Sequence, residues 1–415
     1  MPKANLSEVL FKPSFKHPET STLVKRVVQT TASINSPLDG ETQSNWYRMI
    51  NKTVWAWRGV DPIEVEEVLS RIAASTNERT DNLMLDTVVG YRGGNWIYEW
   101  AKQGMHWQKE ALDLACKDPA KAGRYWLKAC HLYSIASYPH LRGDVLAQQA
   151  ELLADRAYRE AASYLPYELK SLEFKVEGGT LTGFLHLPQT GTGPYPTVLM
   201  CGGLDNLQSD YHQLFRQYLA PQGIAMLCVD LPSIGFSSKW TLTEDTSQLH
   251  RQVLNQLDQV PWVDHQRVVA LGIRFGANVA VRLGYLESRR LRGVACVGPI
   301  VHDLFVNKDN QRLTPMVYRD TIASRLKLDS TTDNVLHAEL SRYSLKNQGL
   351  LGRGCPAPMC SVAFEKDVFS PLSESKLIVS SACDGKLISV ASTPLLSNLN
   401  SGLEQLTGWI KQKLC

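Results

Sequence analysis

Arg267-Val268-Val269-Ala270-Leu271-Gly272-Ile273-Arg274-Phe275-Gly276-Ala277-Asn278-Val279-Ala280-Val281-Arg282-Leu283 is the stretch that decides the fold. Its opening run is mostly β-branched or aliphatic, as in a strand buried on both faces. Its closing run is small and apolar at helical spacing. Between them, Gly272 and Gly276 bracket three residues. Strand, Gly-x-X-x-Gly and helix in that order describe a very tight turn whose middle residue is held in strained backbone geometry. The spacing alone is weak evidence; between this strand and this helix it is specific.

Working outward, short β-type runs alternate with helical ones. Residues 171–176 and 180–187 flank Gly178-Gly179 as an antiparallel hairpin, and further strands are expected at 195–201, 224–229, 267–272, 293–297 and 357–364. Helical segments at 210–220, 246–259 and 277–286 separate most of them, and a last helix at about 403–413 closes the chain. Such βα alternation calls for a mostly parallel sheet covered by helices, here over 167–415. A polar, helix-leaning insertion at about 303–352 is too long for a plain loop and falls where a lid would sit. Upstream, residues 1–40 read as an extended arm that orders by packing on something else. Residues 41–166 read as a helical domain, with Asp61-Pro62 and Asp118-Pro119 as helix starts. Seven of the ten tryptophans lie there, Trp96 and Trp100 on one helix face. Aromatic packing of a bundle is the first reading of them, and a partner-binding surface the second.

Three other turns complete a pattern. Met200-Cys201-Gly202-Gly203-Leu204-Asp205 ends the third strand of the domain, where backbone N–H groups of Gly202, Gly203 and Leu204, with that of Phe275, would hold an oxyanion. Asp230-Leu231-Pro232-Ser233-Ile234-Gly235-Phe236-Ser237 follows the fourth strand, and Val362-Ala363-Phe364-Glu365-Lys366-Asp367 makes Asp367 the acid candidate. Together they specify an α/β-hydrolase fold with Arg274 at the nucleophile position. An arginine has no lone pair to offer, so it cannot attack a carbonyl carbon. The histidine that should follow the acid is also missing, because His337 is the last in the chain. Ser-His-Asp chemistry is therefore disfavoured at this elbow. A cation at a helix N-terminus requires a compensating anion. That anion is either an internal carboxylate, with Asp205 and Asp367 as the candidates, or the carboxylate or phosphate of a small ligand. Arg274, Asp367 and Asp205 are accordingly the candidate catalytic residues. Ser233, Ser237 and Ser370 are surrogate nucleophiles only if something activates them, and His302 is the best-placed histidine.

The net charge of +3 is small and carries no basic block, which argues against nucleic acid. No run approaches the ~18–20 apolar residues that span a bilayer, and the first residues lack a secretory layout. Nine scattered cysteines read as reduced thiols of a cytoplasmic protein. Cys355 and Cys360 lack the companions of a zinc site, no cofactor motif is visible, and neither metal nor cofactor is expected.

With its helical N-terminal part and the stretch from Gly272 to Arg282, the chain resembles the FrsA family of fermentation–respiration switch proteins of gamma-proteobacteria. The resemblance implies a cytosolic α/β-hydrolase-fold protein classed as a carboxylic-ester hydrolase. It also implies a partner, the unphosphorylated glucose-specific IIA component of the sugar phosphotransferase system. Three functions stay open. They are ester hydrolysis by an unconventional route, a non-catalytic binding role with a silenced site, and lyase chemistry on a small 2-oxo acid held by Arg274.

Overall fold

The structure, a computed structural model, describes residues 19–24, 33–328 and 333–415. Of the expected arm, 1–18 and 25–32 lie outside the described residues, as does 329–332 of the insertion. The described parts of the arm are folded rather than extended. Thr20–Leu23 forms one helical turn, its Thr20 amide donating to Asp144 at 2.6 Å. Asn35–Ser36 (β1) and Gly40–Glu41 (β2) form a small hairpin. It is pinned against Ile50 by paired backbone bonds, Ile50 N–H to Glu41 at 2.9 Å and the reverse at 3.2 Å.

The helical region carries Lys52–Arg58, Pro62–Ala73, Trp96–Leu114, Pro119–Ser137 and Val145–Tyr164. Asp61, Asn95, Asp118 and Asp144 cap the last four of these through side-chain oxygens, with Pro62 and Pro119 just inside their helices. Trp96 and Trp100 are fully buried, tilted against each other at 5.5 Å between ring centroids, with Trp55 against both. These tryptophans therefore form the bundle core and are not free to meet a partner.

Eight strands follow: β3 (Glu168–Val176), β4 (Gly179–Leu187), β5 (Tyr195–Cys201), β6 (Ala225–Val229), β7 (Val263–Ile273), β8 (Gly293–Val297), β9 (Met359–Phe364) and β10 (Gly385–Val390). They form one sheet in the order β10-β9-β8-β7-β5-β6-β4-β3. All are parallel except β4, which runs against both its neighbours. Alternate residues of β5 enter separate cores, Leu199 and Cys201 on one face and Val198 and Met200 on the other. Burial on both faces is why the central strands read as continuous apolar runs. Helix Gly276–Leu286 packs on one face and Leu395–Leu414 on the other. The closing helix thus begins earlier than its sequence pattern suggests.

Other differences have local causes. The helix expected at 210–220 is broken into short 3-10, α and π turns from Gln208 to Gln222, and Asp210 caps its start by accepting the Leu207 amide at 2.9 Å. β10 and the helix Leu372–Ser381 are elements that sequence periodicity did not mark. The insertion is helical over Asp303–Val306, Lys308–Leu313, Met316–Arg325 and Asp333–Leu340. Its buried Arg325 joins three regions: Nε donates to Leu204 at 2.8 Å, and the terminal nitrogens to Ser233, His140 and Pro139 at 2.7–3.0 Å.

Candidate functional site

β5 and β7 are adjacent but their crossovers leave on opposite sides, and a crevice opens beyond their carboxyl ends as it does at any such switch in strand order. The elbow sits there. A Cβ on Gly276 would lie 2.0 Å from the Cys201 carbonyl oxygen, so only glycine lets the elbow helix start this close to β5. Arg274 has φ +55°, the strained left-handed value expected for the middle of the turn. Its amide donates to Val297 at 3.1 Å, and its carbonyl accepts from Ala277 and Ile300 at 3.1 and 3.2 Å.

The guanidinium is buried and held on several sides. Nη1 donates to Asp367 at 2.5 Å and to the Gly298 carbonyl at 3.2 Å. Nη2 lies 2.6 Å from Asp39 and donates to Ser36 at 2.7 Å. Burial disfavours the cation, but Asp367 and Asp39 outweigh it, so the arginine pKa is raised and the charge is fixed. Asp367 is positioned in turn by the amides of Phe369 and Ser370 at 3.1 and 3.3 Å.

One of the two expected partners is therefore corrected. Asp367 pairs with Arg274, while the second carboxylate is Asp39 from the β1–β2 hairpin and not Asp205. Asp205 instead lines a cavity of about 90 Å³ beside the elbow, together with Asp39, Arg58, Tyr138, Asp210 and Arg274. Among the described residues its carboxylate receives no hydrogen bond. Burial, and then the nearby charge of Asp39, push it up to about 6. Arg58 faces Asp210 at 3.3 Å.

The expected oxyanion turn is also partly respecified. The amide of Gly203 donates to the Tyr211 hydroxyl at 2.8 Å and is spent. Gly202 instead gives the close approach that Tyr211 needs, since a Cβ there would meet its hydroxyl at 2.9 Å. The Leu204 carbonyl accepts from Arg325, and the Phe275 ring packs on Phe305 at 5.9 Å. The Leu204 and Phe275 amides face no protein acceptor among the described residues.

Of the other candidates only Ser370 touches this centre, through its amide on Asp367. His302 Nδ1 is bonded to Ser344 at 2.7 Å, and no histidine among the described residues lines the cavity. Ser233 and Ser237 hold backbone carbonyls at 2.8–3.1 Å. Ser370 is buried against the Asp367 turn. Asp39, Arg58 and Asp210 were not foreseen from sequence. The one available signal was Leu38-Asp39-Gly40, an Asp-Gly turn in a segment otherwise without periodicity.

The family model described as Esterase FrsA-like matches residues 1–415. The protein named Esterase FrsA from Yersinia enterocolitica serotype O:8 / biotype 1B is 62% identical over 416 residues, covering 100% of both chains. Its namesake from Yersinia pestis (strain Pestoides F) is 61% identical with the same coverage. Among solved structures, 2,6-dihydroxy-pseudo-oxynicotine hydrolase superposes with a TM-score of 0.70 at 18% identity, over 88% of this chain and 96% of that one. AbyA5 does so at 0.64 and 20% identity, over 84% and 93%. These two establish the α/β-hydrolase fold with its N-terminal helical part. Among the described residues no helix is long and apolar enough to cross a membrane.

Proposed function

The chain belongs to the family of FrsA-like esterases, and from that premise we propose that it hydrolyses small carboxylic esters in the cavity beside Arg274, by direct attack of water. The observation that carries this reading is Asp205, a cavity carboxylate that receives no hydrogen bond among the described residues and is raised to about 6. That value suits a general base working near neutral pH. Asp205 takes a proton from water as the water oxygen bonds to the acyl carbon. The carbonyl oxygen becomes an oxyanion held by the Leu204 and Phe275 amides. The ester C–O bond then breaks, and the alcohol leaves with the proton from Asp205. Arg274 is no nucleophile here. Its fixed positive charge, at the edge of the cavity, favours the oxyanion from there.

Short-chain p-nitrophenyl esters test this. Turnover should rise with pH to a plateau above about 6, and Asp205→Asn should lower kcat by about a hundredfold or more, the scale of a lost general base. A serine-directed fluorophosphonate should label nothing. Turnover no faster than buffer, turnover that survives Asp205→Asn, or a labelled serine would each overturn it.

A second reading, a binding protein with a silenced site, is supported by the saturation of both terminal nitrogens of Arg274 by internal groups. In it the chain acts in the cytoplasm on the choice between fermentation and respiration, by binding the unphosphorylated glucose-specific IIA component. Met105 and Leu112 project seven residues apart from one helix and are 45% and 59% exposed, which makes them sites to perturb. Met105→Glu with Leu112→Glu should abolish capture of IIA while Arg274→Ala leaves it intact; the reverse pattern defeats the reading.

A further inference from the structure

We propose that Asp39 is a specificity-determining residue: held against Arg274 by the β1–β2 hairpin, it makes the elbow cavity accept uncharged or cationic ligands and reject small carboxylates. The proposal rests on the reading of this cavity as the ligand site.

Arg274 is the group a ligand carboxylate would seek, since a guanidinium offers paired donors to two oxygens. Both of its terminal nitrogens are already taken, Nη1 by Asp367 at 2.5 Å and Nη2 by Asp39 at 2.6 Å. Ser36 closes the arrangement, donating to Asp39 at 2.5 Å while accepting from Nη2 at 2.7 Å. The hairpin does not hang loosely over the site. Asn51 Nδ2 donates to the Leu38 carbonyl at 2.7 Å, and a Cβ on Gly40 would fall 2.5 Å from the Ile50 carbonyl oxygen. The Asp39 carboxylate is thus built into the place of a ligand carboxylate.

The other charges of the cavity agree. Arg58, its second arginine, faces Asp210, which also accepts from Ser134 at 2.9 Å. Asp205 remains as a carboxylate with no hydrogen-bond donor among the described residues. An entering anion therefore meets Asp39 and Asp205 with no free guanidinium edge to offset them, and like charges so placed oppose binding strongly. A neutral carbonyl does not suffer this. The Nε–H groups of Arg58 and Arg274 have no hydrogen-bond partner among the described residues, but both atoms are buried and offer no edge to an entering anion. An ammonium group gains Asp205 and the aromatic faces of Trp57 and Tyr138, which line the same space.

Three probes of matched shape separate the cases: butyramide, butylammonium and butyrate, titrated into the full chain at pH 8 and followed by tryptophan fluorescence, since Trp55 and Trp57 line the cavity. Butyramide and butylammonium should bind saturably and butyrate about tenfold more weakly or worse. Asp39→Asn should narrow that ratio to within about threefold, and Asp39→Glu should restore it. Butyrate binding to the unmodified protein as tightly as butyramide overturns the proposal, as does binding of no probe or an unchanged ratio in Asp39→Asn. Selective binding without ester turnover would defeat the hydrolase reading and leave this one standing.

Discussion

Arg274 combines two features that normally exclude each other, a strained φ of +55° and a buried charge. The strain costs on the order of 1–3 kcal/mol and persists because surrounding bonds over-determine it. The charge is tolerated because Asp39 and Asp367 compensate it in fixed geometry. Truncation removes the compensation and leaves two buried carboxylates facing each other. Arg274→Ala should therefore lower stability by about 3–5 kcal/mol in urea titrations. Adding Asp39→Asn to that variant should recover part of the loss, and a strictly additive double variant would contradict this origin of the cost. Arg274→Ser restores the usual nucleophile type yet should gain no fluorophosphonate labelling, because no histidine among the described residues lines the cavity. Gly276→Ala fails for a steric reason. Its Cβ would meet the carbonyl oxygens of Cys201 and Gly202 at 2.0 and 2.5 Å, and backbone cannot rotate away. We expect a loss of about 3 kcal/mol or more, or insoluble protein on expression.

At the scale of elements, the hairpin is the least self-sufficient piece and among the most consequential. Each of its strands has two residues, too few to fold alone. Asn51 does two jobs for it, holding the Leu38 carbonyl and capping helix Lys52–Arg58 through the Val54 amide. Asn51→Ala should cost about 1–2 kcal/mol and speed amide exchange at 35–41 more than in the central sheet. Uniform exchange across both would refute the anchoring role. The same hairpin shows where sequence reading stops. The elbow, the turn after β5 and the strand end at Asp367 were legible because tight backbone turns demand particular residues at fixed offsets. Asp39 was not, because its partner lies more than two hundred residues away and a two-residue strand leaves no periodicity. β10 escaped notice for a related reason. It is an edge strand with only Ile388 and Val390 buried, so its alternation is faint. The breaks in the expected helix at 210–220 change the hydrogen-bonding pattern and not the buried face, so apolar spacing does not report them.

At the scale of the molecule, the helical region and the sheet are joined through buried polar contacts as well as apolar ones. Tyr158, from helix Val145–Tyr164, meets His186 Nε2 of β4 at 2.5 Å and His212 Nδ1 at 3.2 Å. His186 Nδ1 lies 3.1 Å from the Met226 carbonyl, an acceptor, so Nδ1 carries the proton and Nε2 accepts from the tyrosine hydroxyl. Burial drives the His186 pKa down to about 4, leaving a neutral histidine inside a neutral network. The sign of its pH effect follows. Its stabilising share is fully present above the unfolded value of about 6.5 and is lost as pH falls toward 4, because only the unfolded chain takes up the proton. His186→Phe should then be less stable than the parent at pH 7.5 by about 1–3 kcal/mol, from the broken hydrogen bonds. The gap should close or invert by pH 4, shifting by on the order of 3 kcal/mol in favour of the variant. Denaturant titrations of the two proteins across that range measure the shift directly. A gap independent of pH would mean that His186 titrates in the folded protein as it does in the unfolded chain, so that burial does not hold it neutral.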